Sequence, residues 1–316
     1  MKKSILFRPS EIGKIMGSAK GKSNREKYDD LEEMIQKVEL EFSELKNKET
    51  KKAESLLERA NRYKGEKESL EDVKDLPHLP ETCKKQMRSK MIEIKFNRFK
   101  EIETKYMRKG KEVEEAGITL YSLIQNKIFE NNKIRVQNDY FSGEIDIPWK
   151  DNDDVVYRIS DIKSSWSIHT FYDNEEVIKK DNKYQGDAYL DLYPSAKDYS
   201  IANVLIDTPF DMILNELYRE SFKWKDQETP NWRELQIVKD HIFSKDKFDE
   251  FVDLRGCTPH DEKSQKIYDS FISLEQDSRL IEHTYSRNED DIQKIKDRCD
   301  ECRLYLEMTY GLIHVS

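Results

Sequence analysis

The sequence has no run of apolar residues long enough to cross a bilayer. Its opening MKKSILF carries two lysines but only a short apolar stretch before Arg8 and Pro9. Neither a membrane span nor a signal peptide is expected, and a cytoplasmic location follows. Cysteine is scarce: Cys83, Cys257, Cys299 and Cys302 are the only four in 316 residues, which does not make a secreted disulfide framework in a chain this long. A positive net charge is also lacking. The formal charge of -9 argues against an indiscriminately basic nucleic-acid coat while leaving room for a local basic track. A complete Walker A loop is missing as well. Residues 17–23, GSAKGKS, end suitably, but the position five before Gly21 is Met16 and no strand is evident ahead of it.

What is present is charge, 38% of residues, in a pattern that points to a soluble, helix-rich protein. The length allows a substantial core, as one domain with helical additions or as two domains. Residues 8–17, RPSEIGKIMG, read as a short helix with Ser10 as N-cap and Ile12, Ile15 and Met16 facing inward. From about 26 to 64, Leu31, Met34, Ile35, Val38, Phe42, Leu45, Ala53, Leu56, Ala60 and Tyr63 recur at helical steps. That predicts a long helix, or a helical hairpin broken near Lys46-Asn47-Lys48, packing on the core or on another subunit. Pro77 and Pro80 close this part.

Residues 84–111 gather Lys84, Lys85, Arg88, Lys90, Lys95, Arg98, Lys100, Lys105, Arg108, Lys109 and Lys111 against Glu93, Glu101 and Glu103, with Phe96, Phe99 and Tyr106 interleaved. This basic helix reads either as a DNA track or as a solvated face with core aromatics. It leads to Gly110-Lys111-Glu112-Val113-Glu114-Glu115-Ala116, then to the apolar positions Leu120, Leu123, Ile124 and Ile128. Residues 181–193 read as a helix with Gln185 and Tyr189 on one face, and residues 199–206 as a strand. Beyond Phe210 the chain reads as mainly helical, closing with a helix from about Glu289 to Tyr310 whose inward face is Ile292, Ile295, Cys299, Cys302, Tyr305 and Met308. Cys299 and Cys302 there are two thiols one helical turn apart.

The stretch that organises the rest is 141–163, FSGEIDIPWKDNDDVVYRISDIK. Alternation puts Glu144 and Asp146 on one face of a first strand, opposite Ile145 and Ile147. After a turn at 151–154, a second strand sends Val155, Tyr157, Ile159, Asp161 and Lys163 to one face. A strand face that runs apolar and then ends in Asp and Lys needs a reason, because buried charge is costly unless paired or bound to metal. A divalent cation held by hard oxygen ligands from two strands supplies one.

The order Glu in a helix, Asp in one strand, Asp-x-Lys in the next, then a helix with Gln and an aromatic resembles the PD-(D/E)XK nuclease superfamily, and more narrowly the lambda-exonuclease or YqaJ-type viral recombinase family. The resemblance covers most of the first 210 residues in motif order. Residues 110–116 approximate the family's Gly-x-x-x-Glu-x-x-Ala helix, with Ala116 one position early; Glu114 is the implied ligand, with Glu112 and Glu115 as competitors. Asp146 is preferred over Glu144 on the same ground.

The resemblance implies an α/β fold: a small mixed sheet of four or five strands flanked by helices, the restriction-endonuclease-like core. It implies a single nuclease domain over 1–316, with a helical insertion at 24–80 and a helical C-terminal extension at 211–316. The implied activity is Mg²⁺- or Mn²⁺-dependent hydrolysis of linear double-stranded DNA, 5′ to 3′ in direction, in phage-type recombination or repair. Glu114, Asp146, Asp161 and the carbonyl of Ile162 would hold metal, while Lys163 and Gln185 position the water. Arg8 and Ser10 would hold a 5′ phosphate, as in the family's serine-led opening helix. Ser164, Ser165, Tyr189, Lys109 and Lys111 complete the expected DNA contacts. DNA ends, a single-strand annealing protein and a ring of three subunits are the implied partners, in a host bacterial cytoplasm if the protein is phage-encoded. Some relatives bind an iron-sulfur cluster through one cysteine before the core and three after it; here the close third cysteine is missing, and a cluster is not expected. An endonuclease, an iron-sulfur nuclease and a non-catalytic DNA-binding protein remain as alternatives.

Overall fold

The computed structural model describes residues 5–46, 48, 50–100, 103–224 and 228–312. Asn47 of the expected helix break and Glu101 of the basic stretch lie outside the described residues. The chain divides into two compact units, one of residues 1–5, 14–100 and 293–316, the other of residues 6–13 and 101–292. No helix of the described residues is long and apolar enough to cross a membrane.

The first unit is helical because its apolar residues recur at steps of three and four and its helices carry strong start signals. Ser23 accepts from the Glu26 amide at 3.1 Å while the Glu26 carboxylate takes the Ser23 amide at 2.6 Å, a reciprocal cap that opens the helix Asn24–Ser43. Thr50 caps the next, Lys51–Leu70. The two form a hairpin around Val38, Leu56 and Ala60, with Phe42, Leu45 and Tyr63 packed beside them. A third helix, Glu81–Phe96, stops at Asn97, whose φ of 50° takes the chain into the left-handed region. The expected single basic helix over 84–111 is therefore two, and its second part, Lys105–Glu112, belongs to the other unit. The closing helix Glu289–Tyr310 runs where expected. Its buried residues are Ile292, Ile295, Cys299, Cys302, Arg303 and Leu306, whereas Met308 is exposed.

The second unit is built on a four-stranded mixed sheet in the order β3-β4-β5-β6, with β3 Ile147–Lys150, β4 Val156–Ser164, β5 Asp198–Val204 and β6 Leu280–Ser286. The β3/β4 pair is an antiparallel hairpin whose turn is held by Asp151 Oδ1, which accepts from the amides of Asp153 and Val155 at 3.0 Å. β4 and β5 run parallel, so the chain must cross over between them; the helix Lys180–Leu192 makes that crossing. A short separate ladder pairs β1 Val136–Gln137 with β2 Ser142–Gly143. β6 falls in the stretch read from sequence as helical, and it completes the sheet as an antiparallel edge.

Helices cover both faces of this sheet. On one side lies the helix Glu114–Ile124, where Ile118 and Tyr121 pack with Ile147 and Ala202. Gly117 lets it approach: a Cβ there would stand 3.2 Å from both Ile162 and Val204. On the other side lies Lys180–Leu192, where a Cβ at Gly186 would be 2.5 Å from the ring of Tyr199. The helices after Phe210 gather around their own cluster of Ile213, Leu217, Leu235, Val238, Phe248 and Phe251.

Candidate active site

Strand β4 sorts its side chains by parity. Ile159, Asp161 and Lys163 stand in register with Tyr199, Ile201 and Asn203 of β5, on the face covered by Lys180–Leu192. Asp161 is 4% exposed, and Lys163 Nζ lies 2.7 Å from its Oδ2. That oxygen has the ion pair but no hydrogen bond of regular geometry.

Asp146 reaches the same place by another route. Residues 144–146 are not in a strand; β3 begins only at Ile147, opposite Ser160. Beyond that point the edge of β4 is open, and Asp146 Oδ2 accepts the Ile162 amide proton at 2.7 Å. Because the amide and carbonyl of an extended residue face the same edge of its strand, the Ile162 carbonyl projects beside Asp146. The strand expected there is absent at 144–146, although burial still alternates as expected, with Ile145 and Ile147 buried and Glu144 and Asp146 half-buried. Glu144 pairs instead with Arg135 at 2.7 Å.

The carboxylates feel one another. Burial, then the charge of Asp161, raises Asp146 to about 7, with Glu114 adding to the rise and Lys163 and the Ile162 amide opposing it. Burial also works to lower Lys163, but Asp161 and Asp146 outweigh it and raise the ammonium's pKa. Lys163 is thus a firmly held cation beside two acids.

Glu114 opens its helix. Its Oε1 accepts from Asn131 Nδ2 at 2.5 Å and from Lys133 Nζ at 3.3 Å. Of its competitors, Glu112 pairs with Arg108 at 2.7 Å and Glu115 is exposed. The motif helix is not continuous: Val113, at φ -107° and ψ 11°, separates Lys105–Glu112 from Glu114–Ile124. Gly110 therefore lies in the preceding helix, with open space where a Cβ would stand.

From the covering helix, Gln185 Oε1 comes within 3.4 Å of Lys163 Nζ, and the Gln185 side chain also acts to lower the pKa of Tyr189. Tyr189 is 8% exposed and stacks on Tyr199 with ring centroids 6.3 Å apart. A Cβ at Gly143 would lie 2.9 Å from its ring. Tyr189 is packed within the fold, one of the two roles its place beside Gln185 allows, the other being contact with the DNA backbone. Burial, followed by the charges of Asp161 and Asp146, holds its pKa well above the usual phenol value.

Three further residues expected to contact DNA are engaged within the fold. Ser164 is half-buried on the opposite face of β4, its Oγ 3.8 Å from where a Gly117 Cβ would be. Ser165 is 7% exposed and its amide is bound to the Val204 carbonyl. Lys109 is 1% exposed, its ammonium donating to the carbonyls of Ser165 at 2.7 Å and Trp166 at 3.1 Å. Lys111 is at the surface, paired with Glu103 at 2.9 Å. Arg8 and Ser10 are exposed too, but Arg8 rather than Ser10 is the N-cap of a 3-10 turn, Pro9–Glu11. Pro9 packs over Gly143 beside Tyr189.

Asn131 and Asn132, in the loop before β1, were not singled out by any sequence pattern. Nor was Asn203, 5% exposed and in register with Lys163. The thiols of Cys83 and Cys302 are 3.3 Å apart, with Cys299 buried nearby on the same helix as Cys302. Cys257 sits in the separate cluster of the second unit. Among the described residues, no three His, Cys, Asp or Glu side chains form a ready-made metal cluster.

Neither a known family model nor a curated protein sequence matches the chain. Solved structures do. A phage-related exonuclease from Haemophilus somnus 129PT superposes with a TM-score of 0.55 over 98% of this chain and 96% of its own, at 19% identity. An alkaline exonuclease from Laribacter hongkongensis gives 0.43 over 73% of this chain and 84% of its own at 10% identity. Its complex with dAMP gives 0.42 over 73% and 83% at 11% identity. The chain thus shares its α/β fold with the Haemophilus exonuclease.

Proposed function

We propose that the protein is a metal-dependent DNA exonuclease of the PD-(D/E)XK superfamily, of the lambda-exonuclease or YqaJ type, digesting linear double-stranded DNA from 5′ to 3′. The observation that carries this reading is the meeting of Asp146, Asp161 and Lys163 at the open edge of β4, with Gln185 above them. The fold shared with a phage-related exonuclease supports it.

The donor set suits a hard divalent cation. Asp161 Oδ2 lacks a regular hydrogen bond, and the acids near it are crowded enough to raise Asp146. Glu114, Asp146, Asp161 and the Ile162 carbonyl would hold Mg²⁺ or Mn²⁺, which when bound supplies Lewis-acid activation of water and charge neutralisation. Lys163 keeps its proton, since its pKa is raised. Its part is to stabilise charge on the scissile phosphate and to orient the attacking water. Gln185, held between Lys163 and Tyr189, orients the same water or a phosphate oxygen. Arg8 and Ser10, flanking Pro9, are proposed to receive the 5′ end. An assembly of three subunits around the duplex and a single-strand annealing partner belong to the same proposal.

The test uses end-labelled linear duplex and closed circular DNA with Mg²⁺. Linear DNA is degraded from its ends and circles survive, and Asp161→Asn and Lys163→Ala each lose about 10²-fold or more of the rate. Absence of metal-dependent cleavage, or cleavage indifferent to both substitutions, refutes the assignment; nicked circles refute its exonuclease form.

A further inference from the structure

Glu114 and Asp146 come from different elements, one from the first turn of a helix and the other from a bend ahead of β3. Two consecutive asparagines join them. Asn131 Nδ2 donates to Glu114 Oε1 at 2.5 Å. The Asn132 amide donates to the Asp146 carbonyl at 3.1 Å, and its Nδ2 to the Ile145 carbonyl at 2.8 Å. The loop that carries them is itself anchored. The Phe129 ring lies 4.6 Å from that of Trp149 and 5.6 Å from that of Tyr121, and its amide donates to Ser122 Oγ at 3.2 Å.

We infer that Asn131 and Asn132 are positioning residues that hold the helical and the bend carboxylates in one frame for the metal. The inference rests on the metal-dependent reading above. With Oε1 engaged by Asn131, Glu114 presents Oε2 in a fixed direction. Asn132 grips the backbone on either side of the Ile145–Asp146 peptide, so the Asp146 side chain leaves a braced bend toward the Ile162 amide. Lys133 also reaches Glu114 Oε1, but its side chain is 69% exposed, and an exposed pair of that kind adds little. The half-buried amide of Asn131 is the stiffer partner.

The experiment measures Mn²⁺ binding by the whole chain without DNA, from the loss of the free-ion electron paramagnetic resonance signal. Partners of metal ligands typically change affinity by about 10- to 100-fold. Asn131→Ala and the isosteric Asn131→Asp are each expected to weaken binding by about 10-fold or more, and Asn132→Ala to weaken it measurably. Lys133→Ala should change it by less than about fivefold. If Asn131 acts through Glu114, then Asn131→Ala added to Glu114→Gln weakens binding no further than Glu114→Gln alone. Unaltered affinity in both Asn131 variants overturns the inference. So does an equal loss in the unsubstituted and Glu114→Gln backgrounds, which marks a merely structural role. Failure of the unsubstituted chain to bind Mn²⁺ overturns the metal-dependent reading itself, and the inference with it.

Discussion

Lys109 offers a quantitative check on the geometry around the end of β4. Its ammonium, 1% exposed, donates to the carbonyls of Ser165 and Trp166 just past Lys163. His241 Nδ1 at 3.0 Å and Thr208 Oγ1 at 3.3 Å address the same Trp166 carbonyl. Burial pushes Lys109 down from 10.5 to about 7, opposed by the charge of Asp207. In the unfolded chain a lysine holds its proton to about 10.4. Between these values the unfolded state binds more protons, so stability rises with pH through that window and the contribution is smallest at and below pH 7. The limiting slope is about 1.4 kcal/mol per pH unit, which integrates to about 2 kcal/mol between pH 7 and pH 9. Lys109→Met keeps the apolar stem and removes the titration, while leaving the Ser165 carbonyl without this donor costs about 1–3 kcal/mol at every pH. Urea unfolding followed by tryptophan emission reads the correct unit, because Trp149, Trp166, Trp224 and Trp232 all lie in residues 101–292. The stability of the unsubstituted protein relative to Lys109→Met should rise by about 2 kcal/mol from pH 7 to pH 9. A gap that stays constant over that range refutes a buried, depressed Lys109.

Glu144→Gln should keep near-normal hydrolysis of linear DNA, because Glu144 is engaged by Arg135, whereas Asp146→Asn should lose about 10²-fold or more; rate assays on the two variants showing equal effects would contradict the separation of the two acids. Gly186→Ala drives a methyl to within 2.5 Å of the Tyr199 ring, so thermal unfolding should reveal about 1–3 kcal/mol of destabilisation together with weakened hydrolysis as Gln185 shifts. An unchanged melting temperature would show that the helix over the sheet is not seated this closely.

How much of this arrangement could be read from sequence depends on whether each residue obeys a local period. The helix at Lys180–Leu192 and the strands β4 and β5 do, so the pairing of Asp161 with Lys163 and the approach of Gln185 were legible from alternation and from helical spacing. The helical hairpin of the first unit was legible for the same reason. Asp146 was not distinguishable from Glu144, because alternation puts both acids on the same face and only their partners, the Ile162 amide and Arg135, separate them. The bend has a physical cause: the Asp146 carboxylate takes the Ile162 amide, a bond that a backbone carbonyl ahead of β3 would make in a longer ladder, so the ladder stops at Ile147. β6 was illegible for a related reason. Its Glu282 faces the sheet's helix-covered side but binds Tyr121, Gln125 and Arg158, so a polar network replaces the apolar stripe that marks a strand. Lys109 shows the same limit in the other direction. One more lysine in a basic stretch looks like a DNA contact until two backbone carbonyls are found waiting for it, and those lie 56 and 57 residues further along the chain. Asp146 and Lys109 share one feature, side chains that bond to backbone far along the chain, and at this site such bonds brace both the bend that carries Asp146 and the end of the strand that carries Asp161 and Lys163.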